Sequence, residues 1–206
     1  TLSLHAALPI WIVPDDATAL THVLVAVVGA VDQRIAGVGL GRSHALGLAA
    51  RGAKVIVVDP RFSSVAAKAD YWLPIKPGTD TALLLAWMNV LIGESLYDQA
   101  YVEQWTHGFD QLAAHVAEFT PDWAAGITDL PAAQIRETAA VMAAHLPRAA
   151  VIPGRHTTWY GNDSQRMRAT YLVNTLLGAY GREGGMYFNK SVYLEHSPYP
   201  PYTVTG

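Results

Sequence analysis

Four short segments carry residue types that could do chemistry, and each falls where a strand ends or a helix begins. Asp59 and Arg61 flank Pro60 directly after the β-branched run 54–58. A carboxylate at the end of such a strand accepts hydrogen bonds from sugar hydroxyls, and the same two side chains can equally form a surface ion pair around a turn stiffened by proline. Pro77-Gly78-Thr79-Asp80 leads into an apolar helical stretch, where free N–H groups and the helix dipole favour anions. Asp80 there has two readings, an acceptor for the edge of a base or, like Thr79, a helix cap. Gly29-Ala30 follows the first apolar run, and Pro153-Gly154-Arg155-His156 follows the last. Arg155-His156-Thr157-Thr158-Trp159-Tyr160-Gly161-Asn162-Asp163-Ser164-Gln165-Arg166 is the densest polar and aromatic cluster in the chain. Packing alone seldom calls for two arginines, a histidine and a tryptophan after a buried strand, so this loop is read as functional. The structural reading of Asn162 or Asp163 is a helix cap, and that of Arg166 and Arg168 a solvated helix face.

The elements that must position these loops are legible in outline. The run from His22 to Gly29 is β-branched and apolar on both faces, as a strand buried in a parallel sheet reads. A glycine-containing loop, a short helix over 43–51 stopped at Gly52, and a second strand over 54–58 complete a βαβ unit. Its right-handed crossover brings both strand C-termini to one edge, where ligands of such sheets bind. A third strand is expected over 71–75, broken by Pro74, then a helix over 81–92. Asp98, Asp110 and Thr120-Pro121 read as helix starts, with Pro121 and Pro131 tolerated in a first turn. A helix over 134–145, a fourth strand over 149–152 and a helix from 163 to 177 that ends at Gly178 follow. The pattern is α/β, a Rossmann-like parallel sheet flanked by helices, with a helical insertion.

The composition sets limits on function. The 206 residues are 51% hydrophobic and 15% charged, enough to bury a sizeable core and to make one domain, or one plus an appendage. Fourteen Lys and Arg against 17 Asp and Glu leave a net charge of −3 with no run of like charge, which argues against a dedicated nucleic-acid binder. Cysteine is absent, so disulfides, thiolate nucleophiles and cysteine-held metals lie outside what these residues do by themselves. The apolar stretches 23–31 and 82–92 fall short of the roughly 20 residues a membrane-spanning helix needs. Histidines 22, 44, 107, 115, 145 and 196 lack metal-ligand spacing, and no Gly-x-Ser-x-Gly elbow occurs. Gly37, Gly39 and Gly41 alternate, with His44 where the third glycine of a nicotinamide-binding fingerprint belongs, so these glycines read as turn formers. Trp87, Trp105 and Trp123 read as core or helix-packing residues. Residues 1–10 resemble translated adapter sequence, and 1–20 are left unassigned. The first residue is Thr, and 198–206 trail off in Pro and Tyr, so a piece of a longer chain is expected.

Read together, Gly52-Ala-Lys-Val-Ile-Val-Val-Asp-Pro-Arg61, Ala67-Lys-Ala-Asp70, Leu73-Pro-Ile and Pro77-Gly-Thr-Asp80 resemble the molybdopterin oxidoreductase (dimethyl sulfoxide reductase) family. The resemblance continues through Leu96-Tyr-Asp98, Thr120-Pro-Asp-Trp123 and Leu176-Leu-Gly-Ala-Tyr-Gly-Arg-Glu-Gly-Gly185, and covers 21–194. The segment 153–166 looks most like the catalytic subunits of polysulfide and thiosulfate reductases. The resemblance implies a catalytic subunit that binds two molybdopterin guanine dinucleotides around one molybdenum, with 21–188 as the α/β domain that holds the dinucleotide and 189–206 as a truncated linker. It implies that Asp59 and Arg61 contact the guanosine end, that Gly78, Thr79 and Asp80 close over the guanine, and that Gly29 and Ala30 line the pyrophosphate path. Gly154, Arg155 and His156 then lie towards the pterins and the metal, with Arg155 attracting an anionic sulfur substrate by charge. In the family a cysteine cluster holds an iron–sulfur centre and a Cys, Ser, Asp or selenocysteine ligates the metal, both N-terminal to the residues present, and a C-terminal domain completes the cradle. Alone, these residues are expected to have no turnover. An iron–sulfur electron-transfer subunit, a membrane anchor subunit, a small inorganic anion substrate and export to the periplasm are the expectations for the complete protein. The other reading of the same residues is a non-catalytic Rossmann-type nucleotide-binding module, which has no reason to prefer guanosine over adenosine.

Overall fold

The computed structural model describes residues 23–27, 49–50, 52–153, 163–182 and 184–186. Strands β1 (Val23–Val27), β2 (Lys54–Val58), β3 (Tyr71–Leu73) and β4 (Ala149–Pro153) form one parallel sheet in the order β3-β2-β1-β4. The helices are α1 (Asp80–Gly93), α2 (Gln99–Trp105), α3 (Phe109–Val116), α4 (Pro121–Thr128), α5 (Ala132–Ala143) and α6 (Asp163–Leu176), with a 3-10 turn at Ala66–Lys68. The α/β class and the helical insertion between β3 and β4 are thus as the sequence led us to expect. The register pairs Val23 with Lys54 and Ala149, and Val27 with Val58 and Pro153, so the strands end at a common level.

Both faces of β2 are buried, which is why its apolar run is continuous rather than alternating. Ile56 and Val58, with Leu73 of β3 and Val151 of β4, pack under the helices. Val55 and Val57 face the opposite layer, with Val65, Ala66, Trp72 and Ile152. Helix α1 is apolar all round because helices cover it from several sides, α3, α4, α5 and α6 among them. Its Trp87 is fully buried, and the indole Nε1 donates to Thr138 Oγ1 of α5 at 3.0 Å. Asn89 of α1 donates from Nδ2 to the carbonyls of Val116 and Ala117, tying down the end of α3.

Local signals placed several boundaries and misplaced others by a residue or more. Asp98 caps α2 by accepting from the Tyr101 N–H at 3.0 Å, and Thr120 caps α4 by accepting from Trp123. Strand β3 stops at Leu73 rather than residue 75 because Pro74 cannot donate to a ladder. Helix α3 begins at Phe109, not Asp110, because Gly108 adopts φ +78° at the N-cap. Pro131 is the N-cap of α5 rather than part of its first turn. The expected helix over 43–51 lies largely outside the described residues; Gly52 follows it with φ +86°. Trp105 is 67% exposed at the end of α2, contrary to the packing role read for it, and Tyr97 on Phe109 packs that region instead.

The two outer strands are closed by side-chain amides. On β4, fully buried Asn174 of α6 accepts from the Val151 N–H at 2.7 Å and donates to the Val151 carbonyl at 2.8 Å. On β3, Gln134 Nε2 donates to the Trp72 carbonyl. These amides occupy backbone groups that a bare edge would leave open to another strand. Replacing Asn174 with Leu strands both Val151 groups in an apolar layer, at a cost of about 2–4 kcal/mol. The denaturation midpoint checks this, and a midpoint equal to the unsubstituted protein's would show that the clamp does not matter.

Candidate functional site

The strand order advances from β1 to β2 to β3 and then returns to the other side of β1 with β4. The direction of winding therefore reverses between β1 and β4, and ligands of open α/β sheets bind outside the strand C-termini at such a point. Val27 and Pro153, paired in the ladder, mark that point. Gly29 and Ala30 follow one of these strand ends in the chain, and Gly154, Arg155 and His156 the other; all five lie outside the described residues, as do Gly37, Gly39, Gly41 and His44. Asp59, Arg61, Gly78, Thr79 and Asp80 are described, and follow the C-termini of β2 and β3 on the same edge.

Asp59 is 1% exposed, so the reading of Asp59 and Arg61 as a surface ion pair is overturned. Its Oδ1 accepts from the Arg61 backbone N–H at 2.8 Å, its own N–H donates to the Leu73 carbonyl, and its carbonyl accepts from Trp72 Nε1 at 2.9 Å. The turn is thus locked to β3, with Phe62 packed edge-on against Trp72. Among the described residues, the Arg61 N–H supplies the only hydrogen bond to this carboxylate, which has acceptor capacity for several. Burial pushes the Asp59 carboxyl above its ordinary value of 3.8, against the opposing pull of the Arg61 N–H and the Arg61 charge. A carboxyl raised on folding favours the fold below its unfolded value, and that contribution is lost as pH rises through the raised one. Asp59→Asn removes this titration. The stability of Asp59→Asn relative to the unsubstituted protein should therefore increase from pH 4 to pH 7, as read from denaturation midpoints; a constant difference would contradict the burial argument.

The turn before α1 is built differently from the sequence reading. Gly78 has φ +82°, and among the described residues a Cβ there meets nothing within 4 Å, so the glycine serves the turn. Thr79 stands at the N-cap position, but its hydroxyl donates to the Lys76 carbonyl at 2.7 Å and caps nothing. Asp80 is not the cap either. It pairs with Arg166 of α6, Oδ2 to Nε, at 3.7 Å, with side chains only 12% and 5% exposed. Arg166 is therefore buried, not part of a solvated face, whereas Arg168 is exposed and donates to Gln165. The signal was present in the sequence: Arg166, Ala169, Thr170, Val173, Asn174 and Leu177 follow the period of one helix face, and all are buried.

A second group of resemblance-bearing residues proves to be an anchor rather than a site. Asp98 caps α2, donates from its backbone N–H to the Leu176 carbonyl at 2.8 Å, and takes a salt bridge from Arg182. Gly178 ends α6 at φ +64°, and a Cβ there would sit 2.6 Å from Asp98 Oδ2. Gly185 passes so close to Ala179 that a Cβ would sit 2.0 Å from its carbonyl oxygen. Asp70 plays the same part at the opposite edge of the sheet, accepting from the Val55 N–H and from Lys54.

The sequence matches the profile of the molybdopterin oxidoreductase family over residues 36–199. The chain belongs to that family. This molybdopterin oxidoreductase chain is 45% identical over 141 residues to the molybdopterin-containing subunit of thiosulfate reductase, PhsA, of Salmonella typhimurium, a match spanning 68% of this chain and 19% of the relative. It is 41% identical over 131 residues to the acetylene hydratase of Syntrophotalea acetylenica, spanning 63% of this chain and 18% of the relative. Among solved structures, the acetylene hydratase from Pelobacter acetylenicus superposes with a TM-score of 0.71 at 32% identity, covering 81% of this chain and 22% of that one. The chain thus spans about a fifth of the length of the relatives it matches.

Family membership implies molybdenum with a pterin cofactor, and the polar groups at the sheet edge fit the polar end of such a group. Asp59 is a buried carboxylate with spare acceptor capacity, Arg61 adds a cation on the same turn, and the turn at Gly78 precedes the carboxylate of Asp80. These are acceptors for hydroxyl and N–H groups and a counter-charge for phosphate. Among the described residues, no three His, Asp or Glu side chains gather as a metal site.

Proposed function

We propose that this chain is the part of a molybdenum enzyme's catalytic subunit that holds molybdopterin guanine dinucleotide, and that the complete enzyme reduces an inorganic sulfur anion, polysulfide or thiosulfate. The observation that carries the dinucleotide reading is the buried Asp59 carboxylate at the C-terminal end of β2, held with acceptor capacity to spare. Ribose hydroxyls donating to it would replace part of the solvation it lost on burial. Arg61 neutralises charge beside it, and Asp80 accepts from the ring N–H and exocyclic amine of guanine. When bound, the cofactor supplies a metal that exchanges electrons with the substrate; this chain supplies orientation and hydrogen bonds. The likeness to a thiosulfate reductase subunit supports the sulfur substrate. The proposal includes Gly29, Ala30 and Gly154 along the cofactor, and Arg155 and His156 towards the metal, with Arg155 drawing in the anion. It also includes an iron–sulfur electron-transfer subunit, a membrane anchor subunit and a periplasmic location for the complete enzyme.

The test is made on the full-length enzyme. Nucleotide released by denaturation and mild hydrolysis should be GMP, about two per molybdenum for a bis-dinucleotide cofactor. AMP, CMP or no nucleotide would overturn the dinucleotide reading. Dye-coupled reduction of thiosulfate or polysulfide should be observed, and Arg155→Ala should raise KM or cut turnover about tenfold or more, as loss of a charge-assisted contact does. Hydration of acetylene without sulfur-anion reduction, or unchanged kinetics in Arg155→Ala, would overturn the substrate class or the role of Arg155 respectively.

A further inference from the structure

Arg166 has no place in the cofactor reading above, yet it is one of the few buried charges in the described chain. It sits in the first turns of α6, directly after the loop that carries Arg155 and His156, and its partner Asp80 begins α1 after the turn that carries Gly78. The pair thus joins the starts of the two helices that flank the proposed site. Three features of the contact matter. Both side chains are largely withdrawn from water, so the charges interact far more strongly than a surface pair would. The Nε to Oδ2 separation of 3.7 Å is an ion pair longer than a hydrogen bond, so the arginine holds the carboxylate without occupying its lone pairs. Asp80 also does not cap α1, since the N-cap position is Thr79 and that hydroxyl is turned to Lys76.

We propose that Arg166 is a positioning residue for the purine base of the bound dinucleotide: it fixes the Asp80 carboxylate at the head of α1 with its acceptor atoms available to the base. This rests on the reading of Asp80 as the residue that takes guanine. Arg166 touches neither base nor substrate in this scheme; it acts through Asp80, and a positive charge at residue 166 is what the scheme requires.

The experiment uses the full-length holoenzyme with substitutions Arg166→Gln, Arg166→Lys, Asp80→Asn and the double variant Asp80→Asn/Arg166→Gln. GMP released per molybdenum is read beside the melting temperature. Arg166→Gln is expected to lower retained GMP about fivefold, as loss of one oriented hydrogen-bonding group does, and Arg166→Lys, which keeps the charge, to restore most of it. The double variant should retain as much GMP as Asp80→Asn alone, because Arg166 has nothing left to position. Unchanged GMP in Arg166→Gln with a lowered melting temperature would reduce Arg166 to a structural role and overturn the proposal. A double variant that retains less than Asp80→Asn would also overturn it, and this comparison holds even where Arg166→Gln alone fails to fold. If the unsubstituted enzyme releases GMP but Asp80→Asn loses none, the reading of Asp80 fails and this proposal with it. If the unsubstituted enzyme releases no GMP, the dinucleotide reading itself has failed.

Discussion

Replacing Gly185 with alanine should destabilise the protein by about 3 kcal/mol or more, because the added methyl must overlap backbone rather than a yielding side chain. The Cβ would lie 2.0 Å from the Ala179 carbonyl oxygen, 2.8 Å from its carbon and 3.0 Å from its Cα. The backbone there has little room to yield: Met186 donates to that same carbonyl at 2.6 Å, and Gly181 donates to the Met186 carbonyl at 2.8 Å. Easing the clash means breaking the bridge between Tyr180 and Met186 that closes the end of the fold behind α6. Gly181 is the control. It has φ +70° but, among the described residues, nothing within 4 Å of a Cβ, so Gly181→Ala carries the conformational cost of a left-handed residue, about 1–2 kcal/mol. Thermal melting should show a drop of roughly 10 °C for Gly185→Ala and clearly less for Gly181→Ala. Equal drops would mean that the close approach of Ala179 costs no more than a left-handed backbone does.

Arg166→Met carries the second large effect. Removing the guanidinium leaves the Asp80 carboxylate, 12% exposed, without its counter-charge, and breaking a buried pair from one side costs about 3–5 kcal/mol. The cost belongs to the stranded charge more than to the lost attraction. Asp80→Leu/Arg166→Met, which removes both charges and keeps similar volumes, should therefore recover most of the stability that Arg166→Met loses. Denaturant midpoints for the two single variants and the double close the cycle. A double variant as unstable as Arg166→Met would show that the stranded Asp80 carboxylate is not the source of the cost. Stability recovered in this double, without recovered GMP, is what the positioning role demands, since Leu at residue 80 offers no acceptor to a base.

These two positions show what local patterns miss. The glycines at 178, 184 and 185 were visible as a run after a helix, and Gly178 stops α6 at φ +64° as a C′ glycine does. That Gly185 tolerates no side chain follows from the approach of Ala179 from the other limb of a loop. The burial of Arg166 was half legible. Its place on the apolar stripe of α6 could be counted in the sequence, but an arginine on a stripe goes inside where a carboxylate waits, and Asp80 comes from the start of α1, far earlier in the chain. Asn174 is a parallel case, a polar residue mid-stripe whose side-chain amide bonds both backbone groups of Val151 of β4.

What the sequence determined by itself is what local sterics and short-range hydrogen bonds decide. The doubly apolar runs of β2 and β4 belong to a parallel sheet, Asp98 and Thr120 start helices by capping them, and Pro74 ends β3. Loops that follow parallel strands share an edge, so the gathering of Asp59, Arg61 and Asp80 on one side follows from the chain order alone. Tertiary structure decided the chemical state of those residues. Asp59 and Arg61 are not a solvated pair, because Trp72 and Leu73 tie the Asp59 backbone to β3 and the side chain is buried, and exclusion of water raises the proton affinity of its carboxylate. Asp80 is not a cap: the N-cap position falls on Thr79, and the Asp80 carboxylate instead faces a guanidinium distant in the chain at 3.7 Å. Burial and charge pairing depend on which segments meet in space, and a linear pattern records what each residue can donate or accept but not what it meets.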